Sequence, residues 1–466
     1  MKKKQHALWT FPLLAAAIAA SLPGAASASN FQLTEQSVTS LGRAHSGGAA
    51  AADDSSTIWY NPAGLTLLND SEILAGASVI RFGADFTKTS ATDASGQPLS
   101  GGEGGSVGKL GAVPIIYYAK PINDKMVFGI GLGVPFGLAT SYNADSIFRY
   151  QAIYTAVTVL NLNPTLAYKF TDNFSGGFGL DIQRMDVKLT NAVDYGAVCF
   201  AKVNPGTCTA MNLTPQGHDG FFQGDAKDSS ALGYNFGLLW NYDTFRVGFS
   251  YRSKIKHSLD GDATFTNAPA LFTSQGLFAN QSISADFTTP QMASLSGMWK
   301  LNDQWSLYGD WSYTGWSSFD KLTINFASYD AATGAGQPPS TVQEGLSNVN
   351  RFSFGTDYRY SDSWTFRAGV ALDKSPVPNP TAASNTTPND TNASRSARLP
   401  DADRKWLALG ATWRVSDHSQ WDIGYSHLFI NGHIPFNQVN AGGGDHIVGQ
   451  FNADADILGI SYRYRF

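Results

Sequence analysis

The 466-residue chain is 43% hydrophobic and 13% aromatic, carries 47 glycines, and has only 15% charged residues. Its formal net charge of −5 argues against nucleic acid as a partner. An aromatic, glycine-rich and charge-poor balance points to a β-rich protein dominated by Tyr, Phe and Trp.

Residues Met1 to Ala28 have the form of an export signal. Lys2, Lys3 and Lys4 give a basic start, an apolar stretch runs from Leu13 to Leu22, and Ala26-Ser27-Ala28 supplies a small-x-small cleavage site. No other stretch approaches the roughly 18 uninterrupted apolar residues that a spanning helix needs. The expectation is therefore an exported protein, either soluble or a β-barrel.

Residues 29–71 lack strand alternation. The run SNFQLTEQSVTSLGRAHSGGAAAADDSSTIWYNPAGLTLL is rich in small residues, carries Asp53 and Asp54, and closes on the turn Asn61-Pro62-Ala63-Gly64. It is too short and too poor in large apolar residues to hold a core alone, so it must pack inside something. We expect a plug.

From 72 to 466 the chain repeats about ten residues of apolar and polar alternation followed by a turn, short and long in alternation. In the last strand Leu458, Ile460, Tyr462, Tyr464 and Phe466 share one face, and Gly459, Ser461, Arg463 and Arg465 share the other. Six short turns each carry an aspartate: Asp124, Asp172, Asp243, Asp303, Asp362 and Asp417. With both termini periplasmic, six inner turns require a 14-stranded antiparallel transmembrane β-barrel, an all-β membrane protein with the plug in its lumen. A lumen of that width cannot be filled by wall side chains alone.

Four local features stand out along the wall. The third strand has Gly129, Gly131, Gly133 and Gly137 around Pro135, which predicts a bulge or kink where backbone pairing fails. Cys199 and Cys208 share one outer loop, where an oxidising compartment favours a disulfide and a metal would want more ligands nearby. In the next loop Leu271, Phe272, Leu277 and Phe278 form an apolar cluster that calls for a partner or ligand. Arg246, Arg359, Arg367, Arg463 and Arg465 sit at the periplasmic strand ends, placed to pin the plug through Asp53, Asp54 and Asp357.

The run FQLTEQSVTSLGRAHSGGAAAADD, followed by Asn61-Pro62-Ala63-Gly64, resembles the N-terminal hatch of the FadL family, outer-membrane channels for long-chain fatty acids and other hydrophobic compounds. The blocks Trp364–Pro378 and Arg398–Gly410 are similar to the family's late strands. The resemblance implies that the break at Gly131, Gly133 and Pro135 opens the wall sideways, and that Arg184 on the fifth strand contacts an acid head group. The alternative for Arg184 is an ordinary rim arginine paired with Asp186.

From these features we expect Phe31 and Leu33 to line a deep pocket near Arg184, since an apolar tip has no other place to be buried. Leu271, Phe272, Leu277 and Phe278 would form an outer capture groove beside the cysteine loop. The turn Asn61, Pro62 and Ala63 would sit against the strand-three break as its gate. The expected ligands are long-chain fatty acids, or else aromatic and other neutral hydrocarbons. The expected surroundings are outer-membrane lipid and lipopolysaccharide of a Gram-negative bacterium, with the protein a monomer.

An outer-membrane lipase or esterase is the competing reading. Gly104-Gly105-Ser106-Val107-Gly108 matches G-x-S-x-G, but it lies in a glycine-rich loop without a strand-turn-helix setting. The histidines are scattered without metal-ligand spacing, so no metal or cofactor is expected.

Overall fold

A computed structural model describes residues 30–380, 395–430, 432–440 and 443–466. The expected export signal, Met1 to Ala28, lies outside the described residues. Fourteen antiparallel strands cross the wall. The first six are Glu72–Thr92, Leu110–Asn123, Met126–Ser141, Tyr154–Thr171, Phe174–Asp194 and Asp219–Asn241. The next three are each broken once: Phe245–Arg252 resumes as Ile255–Thr266, Gln281–Thr289 as Met292–Lys300, and Trp305–Thr314 as Lys321–Phe326. The last five are Val349–Arg359, Trp364–Asp373, Arg404–Arg414, Ser419–Ile430 and His446–Arg465.

First and last strands pair along their whole length, from Glu72 opposite Arg465 to Thr92 opposite His446, and this closes the barrel. Closure leaves no free sheet edge in lipid, where an unpaired backbone group costs several kcal/mol. The alternation of the sequence sets the two faces. Leu458, Ile460, Tyr464 and Phe466 are exposed, whereas Ser461 and Arg463 are buried in the lumen.

Several strands run further outward than hydrophobic alternation suggests. The sixth starts at Asp219 and not near Ala231, and the last starts at His446 and not near Asp454. These extensions keep backbone pairing but are polar on their outer face, so the apolar signal fades where the lipid ends. The ninth strand is interrupted by a turn of helix at Trp316–Ser318, which points the Trp316 ring into the lumen. The break in the eighth strand falls at Pro290, which has no N–H to give to a ladder.

Above the wall, two short helices, Tyr195–Lys202 and Pro205–Ala210, are joined by the Cys199–Cys208 disulfide. They pack with Leu213 and Phe272, and with the partly buried Leu271, Leu277 and Phe278, into a satellite apolar cluster. The two outer loops thus pack against each other. Closing so short a loop contributes about 2 to 3 kcal/mol at most. A Cys199→Ser, Cys208→Ser double variant should fold into the membrane normally, while proteolysis within residues 199–208 becomes faster; an unchanged cleavage rate would show that the satellite cluster orders the loop without the disulfide.

Candidate functional site

Strands two and three pair only from Ile116 opposite Leu132 down to the periplasmic turn. Above that, a single bridge joins Gly108 to Thr140, with the Ser141 amide donating to the Val107 carbonyl at 3.0 Å. Between these points, residues 133–139 have no partner in strand two, and the wall has a window. On its other side strand three carries one extra residue against strand four, between Gly133 opposite Asn161 and Phe136 opposite Val159. Pro135 lies in that bulge, where its missing N–H costs nothing.

Residues 31–36 supply the missing backbone partners. The Leu33 amide donates to the Pro135 carbonyl at 2.8 Å, and the Gly137 amide donates to the Phe31 carbonyl at 2.8 Å. The Gln36 side-chain amide donates to the Val134 carbonyl at 2.8 Å and to the Leu33 carbonyl at 3.2 Å, while Tyr117 donates to the Gln36 carbonyl at 3.0 Å. Residues 31–33 therefore run as a short strand across the inner side of the window. Val134 to Thr140 are buried on both faces as a result.

Side chains fix this segment at both ends. Phe31, 2% exposed, sits in a cage of rings, with centroids 4.6 Å from Trp316, 5.5 Å from Phe287, and 6.0 Å from both Phe136 and Phe319. Leu33, 1% exposed, packs into the cluster that includes Val134 and Val113. Gln32 points to the far wall, where its amide nitrogen lies 3.0 Å from the Met292 sulfur and its oxygen accepts from Thr314 at 3.1 Å. Next to the segment, burial pushes the Glu35 carboxyl up to about 7, against the pull of its own backbone and of Arg351 and Arg404.

The glycines of strand three have a steric use. Gly129, Gly131 and Gly133 all face the lumen: a Cβ on Gly129 would come within 2.7 Å of Ile58, one on Gly131 within 2.7 Å of Tyr117, and one on Gly133 would collide with the Gln36 side-chain oxygen. The stripe is a seat for residues 36 and 58 and for Tyr117.

Two expected placements, that of Arg184 and that of the Asn61-Pro62-Ala63 turn, are corrected by the geometry. Arg184 faces outward on the side of Phe178 and Leu180, its side chain is 55% exposed, and it pairs with Asp186 at 2.8 Å. It is a rim arginine whose side chain faces away from the lumen that holds Phe31 and Leu33. The turn Asn61-Pro62-Ala63 does not sit on the strand-three break. It rests on Gly177 and Gly237 of strands five and six, with the Asn61 amide donating to the Ala49 carbonyl at 2.6 Å and the Leu238 carbonyl at 3.0 Å. The segment at the break is residues 31–36.

A buried ion pair and hydrogen bonds with charged wall side chains anchor the body of residues 30–68 at the base. Arg43, fully buried, lies between Asp53 and Asp357, 3.3 Å from the latter, with Arg367 also on Asp357 at 3.4 Å. Arg463 donates to the Asp53 carbonyl at 2.6 Å, Arg246 to the Ala51 carbonyl at 2.7 Å, and Glu72 accepts from the Ser55 amide at 2.7 Å and from Arg465 at 3.1 Å. Arg252 pairs with Asp181 and stacks 3.7 Å above the Trp59 ring. Of the arginines expected to pin this segment, Arg359 does not, since it pairs with exposed Asp362. Arg43, Arg252 and Glu72 carry no distinguishing sequence signal and emerge only from the fold.

Above the Phe31 cage the lumen is apolar. Val157, Val159, Met185, Leu259, Leu346, Val377 and Leu399 are buried, while Val187, Ala226 and Ala285 face inward with part of their surface open. Phe31 and its ring cage belong to the same apolar cluster, so the residue 31–33 segment forms the floor of this inner surface. Gly133→Leu should push Gln36 off strand three and loosen this floor. Limited proteolysis of the folded protein should then cut near residues 31–36 several-fold faster than in the wild type; equal rates would contradict the seat.

The family described as "Outer membrane protein transport protein (OMPP1/FadL/TodX)" matches residues 19–466. A long-chain fatty acid transport protein of Escherichia coli O6:H1 is 31% identical over 438 residues, covering 91% of this chain and 92% of that one. In fold, the chain is similar to a Pseudomonas aeruginosa FadL homologue, with TM-score 0.82, 24% identity, and coverage of 94% of this chain and all of the other. It is also similar to the toluene transporter TodX of P. putida, with TM-score 0.63, 16% identity, and coverage of 90% and 98%.

Proposed function

The chain belongs to this family of outer-membrane transport proteins for hydrophobic compounds, and from that premise we propose that it takes up long-chain fatty acids and releases them sideways through the strand-three window. It is a channel and not an enzyme. The acyl chain first leaves water at the outer cluster of Leu271, Phe272, Leu277 and Phe278. It then enters the apolar chamber, whose floor is the segment that covers the window. Each CH₂ buried is worth about 0.8 kcal/mol, so a long chain holds where a short one barely does.

The observation that carries this reading is the borrowed backbone pairing of residues 133–139. A window whose lost ladder bonds are supplied by a short segment, and not by a neighbouring strand, can open without breaking the barrel. Withdrawal of residues 31–33 would connect the chamber to the membrane interior, so an apolar ligand would leave without crossing water. The Asn61-Pro62-Ala63-Gly64 turn acts in this scheme as an anchor on strands five and six, which holds the rest of the segment while its start moves. Diffusion down a gradient suffices, and a monomer contains every part required.

A second reading, uptake of neutral aromatic hydrocarbons, is favoured by one feature. The cage around Phe31 is built of rings, and the cation expected at Arg184 faces away from it. Direct binding of a long-chain acid against toluene separates the two.

Deleting Pro135 equalises strand three with strand four and should draw the strand back into the wall, closing the window. Uptake of a labelled long-chain acid by cells should then fall about tenfold or more, with the barrel inserted and binding to the purified protein retained. Full uptake by the inserted variant would mean that the ligand leaves through the periplasmic end.

A further inference from the structure

Four of the periplasmic turns carry a basic residue three positions ahead of the turn aspartate. In three of them the two side chains close an ion pair: Lys169 to Asp172 at 3.3 Å, Lys300 to Asp303 at 3.2 Å and Arg359 to Asp362 at 2.8 Å. At the turn between strands twelve and thirteen the same spacing separates Arg414 from Asp417, and they form no ion pair. The Arg414 guanidinium makes no hydrogen bond, ion pair or ring contact among the described residues, and in this it stands alone among the chain's arginines. Arg351 and Arg395, which also form no ion pair, donate instead to the Ala44 carbonyl and to the Asp401 and Pro435 carbonyls.

Like charges surround Arg414. Strand pairing sets Arg414 and Arg463 on either side of one residue, Gln420 of strand thirteen, and Arg465 is the next residue of strand fourteen on the same face. Arg359, Arg463 and Arg465 all act on the Arg414 charge, and Asp417 is the acid that opposes them. Arg414, Arg463 and Arg465 line one hollow together with Ser416, Asp417 and His418. Arg465 gives only its Nε to Glu72, at 3.1 Å, so its two terminal nitrogens remain to donate. The Ser416 hydroxyl accepts from the His418 and Ser419 amides at 3.3 and 3.1 Å and keeps its own proton to give. At this hollow the guanidiniums of Arg414, Arg463 and Arg465 meet only the carboxylates of Glu72 and Asp417, which leaves positive charge over. Gathering like charges costs energy that a shared anion removes.

The hollow lies level with the aromatic girdle of the periplasmic side. Trp413, next to Arg414, is exposed on the lipid face, stands opposite Trp421 and stacks on Trp364 at 6.0 Å. Such girdles mark the headgroup level of a bilayer. We propose that this hollow binds a phosphate group, carried by an anionic phospholipid of the periplasmic leaflet or free in solution. Phosphate suits it better than carboxylate, because its oxygens point in several directions and the donors converge from strand twelve, from strand fourteen and from the turn at Ser416. Guanidinium forks hold such oxygens in pairs, and basic pockets at a membrane's rim take anionic headgroups in this way. The site is separate from the apolar chamber and does not depend on what that chamber carries.

The test is calorimetric titration of the folded full-length protein, in a detergent with an uncharged headgroup, with inorganic phosphate, with dihexanoyl phosphatidylglycerol below its micellar concentration, and with acetate. Wild type should bind both phosphates and bind acetate far more weakly. Arg414→Gln should weaken both phosphates by about tenfold or more, the scale of a hydrogen bond to a charged group. Because the Arg414 side chain makes no contact within the wall, that variant should insert as the wild type does. Arg414→Lys should recover part of the loss, and Asp417→Asn should tighten both phosphates. Phosphatidylglycerol binding about tenfold or more tighter than inorganic phosphate, and lost with Arg414, supports the site with a lipid headgroup as its source; equal or weaker binding, likewise lost, supports it with free phosphate. Unchanged phosphate binding in Arg414→Gln, acetate binding as tight as phosphate, or no binding of either phosphate by wild type would overturn the assignment.

Discussion

Every backbone N–H and C=O in the hydrocarbon region of a membrane must find a partner, and the third strand of this barrel cannot find all of its partners in the wall. Over residues 133–139 the ladder to strand two is absent, and the ladder to strand four carries a bulge. An exposed gap there would cost several kcal/mol per group. Residues 31–36 remove the cost by lending their own amides and carbonyls, and Gln36 adds its side chain where the main chain cannot reach. The rest of the lumen follows from this loan. The segment has to stay close enough to strand three to pair, which accounts for glycine at 133, while glycine at 129 and 131 leaves room for Ile58 and Tyr117. It also has to be light enough to leave.

The two parts of the inner segment are held by different forces. Residues 37–68 are tied to the wall by the buried Arg43–Asp357 ion pair and by charged wall side chains on their backbone, Arg246 on Ala51, Arg252 on Trp59, Arg463 on Asp53 and Glu72 on Ser55, and breaking such a contact strands a charge in a dry place. Residues 30–36 rely on backbone bonds and on Phe31 in its ring cage. Full burial of such a side chain is worth only about 1.5 to 3 kcal/mol. Their seat also carries penalties: the Asn30 side-chain amide, one Glu35 oxygen and the Gln36 oxygen are buried without partners. A firmly anchored body with a lightly held start is what a movable floor requires.

Much of this was legible in the sequence because a barrel wall has period two and each turn is marked. The six aspartate turns fixed the number of strands, and the glycines around Pro135 marked the break. The parity rule also bore on Arg184: Phe178, Leu180 and Ile182 point to lipid, so an even-numbered neighbour in the same strand points outward too, whatever a family pattern suggests. What could not be read was which side of the lumen each part of the inner segment reaches. Asn61-Pro62 announces a rigid turn, but its seat is made by Gly177 and Gly237, far away in sequence and without any motif.

The central claim is that strand three is completed by residues 31–33 and released when they leave. Amide hydrogen exchange on the folded protein in lipid reads this directly, at the Gly137 amide, which donates to Phe31, and at the Leu33 amide, which donates to Pro135. The account predicts that both amides exchange slowly in the wild type, and that Phe31→Ala speeds both together while amides of strand four, such as Val157, stay protected. If Gly137 kept its protection in Phe31→Ala while Leu33 lost it, strand three would be complete without the segment, and the account would be wrong.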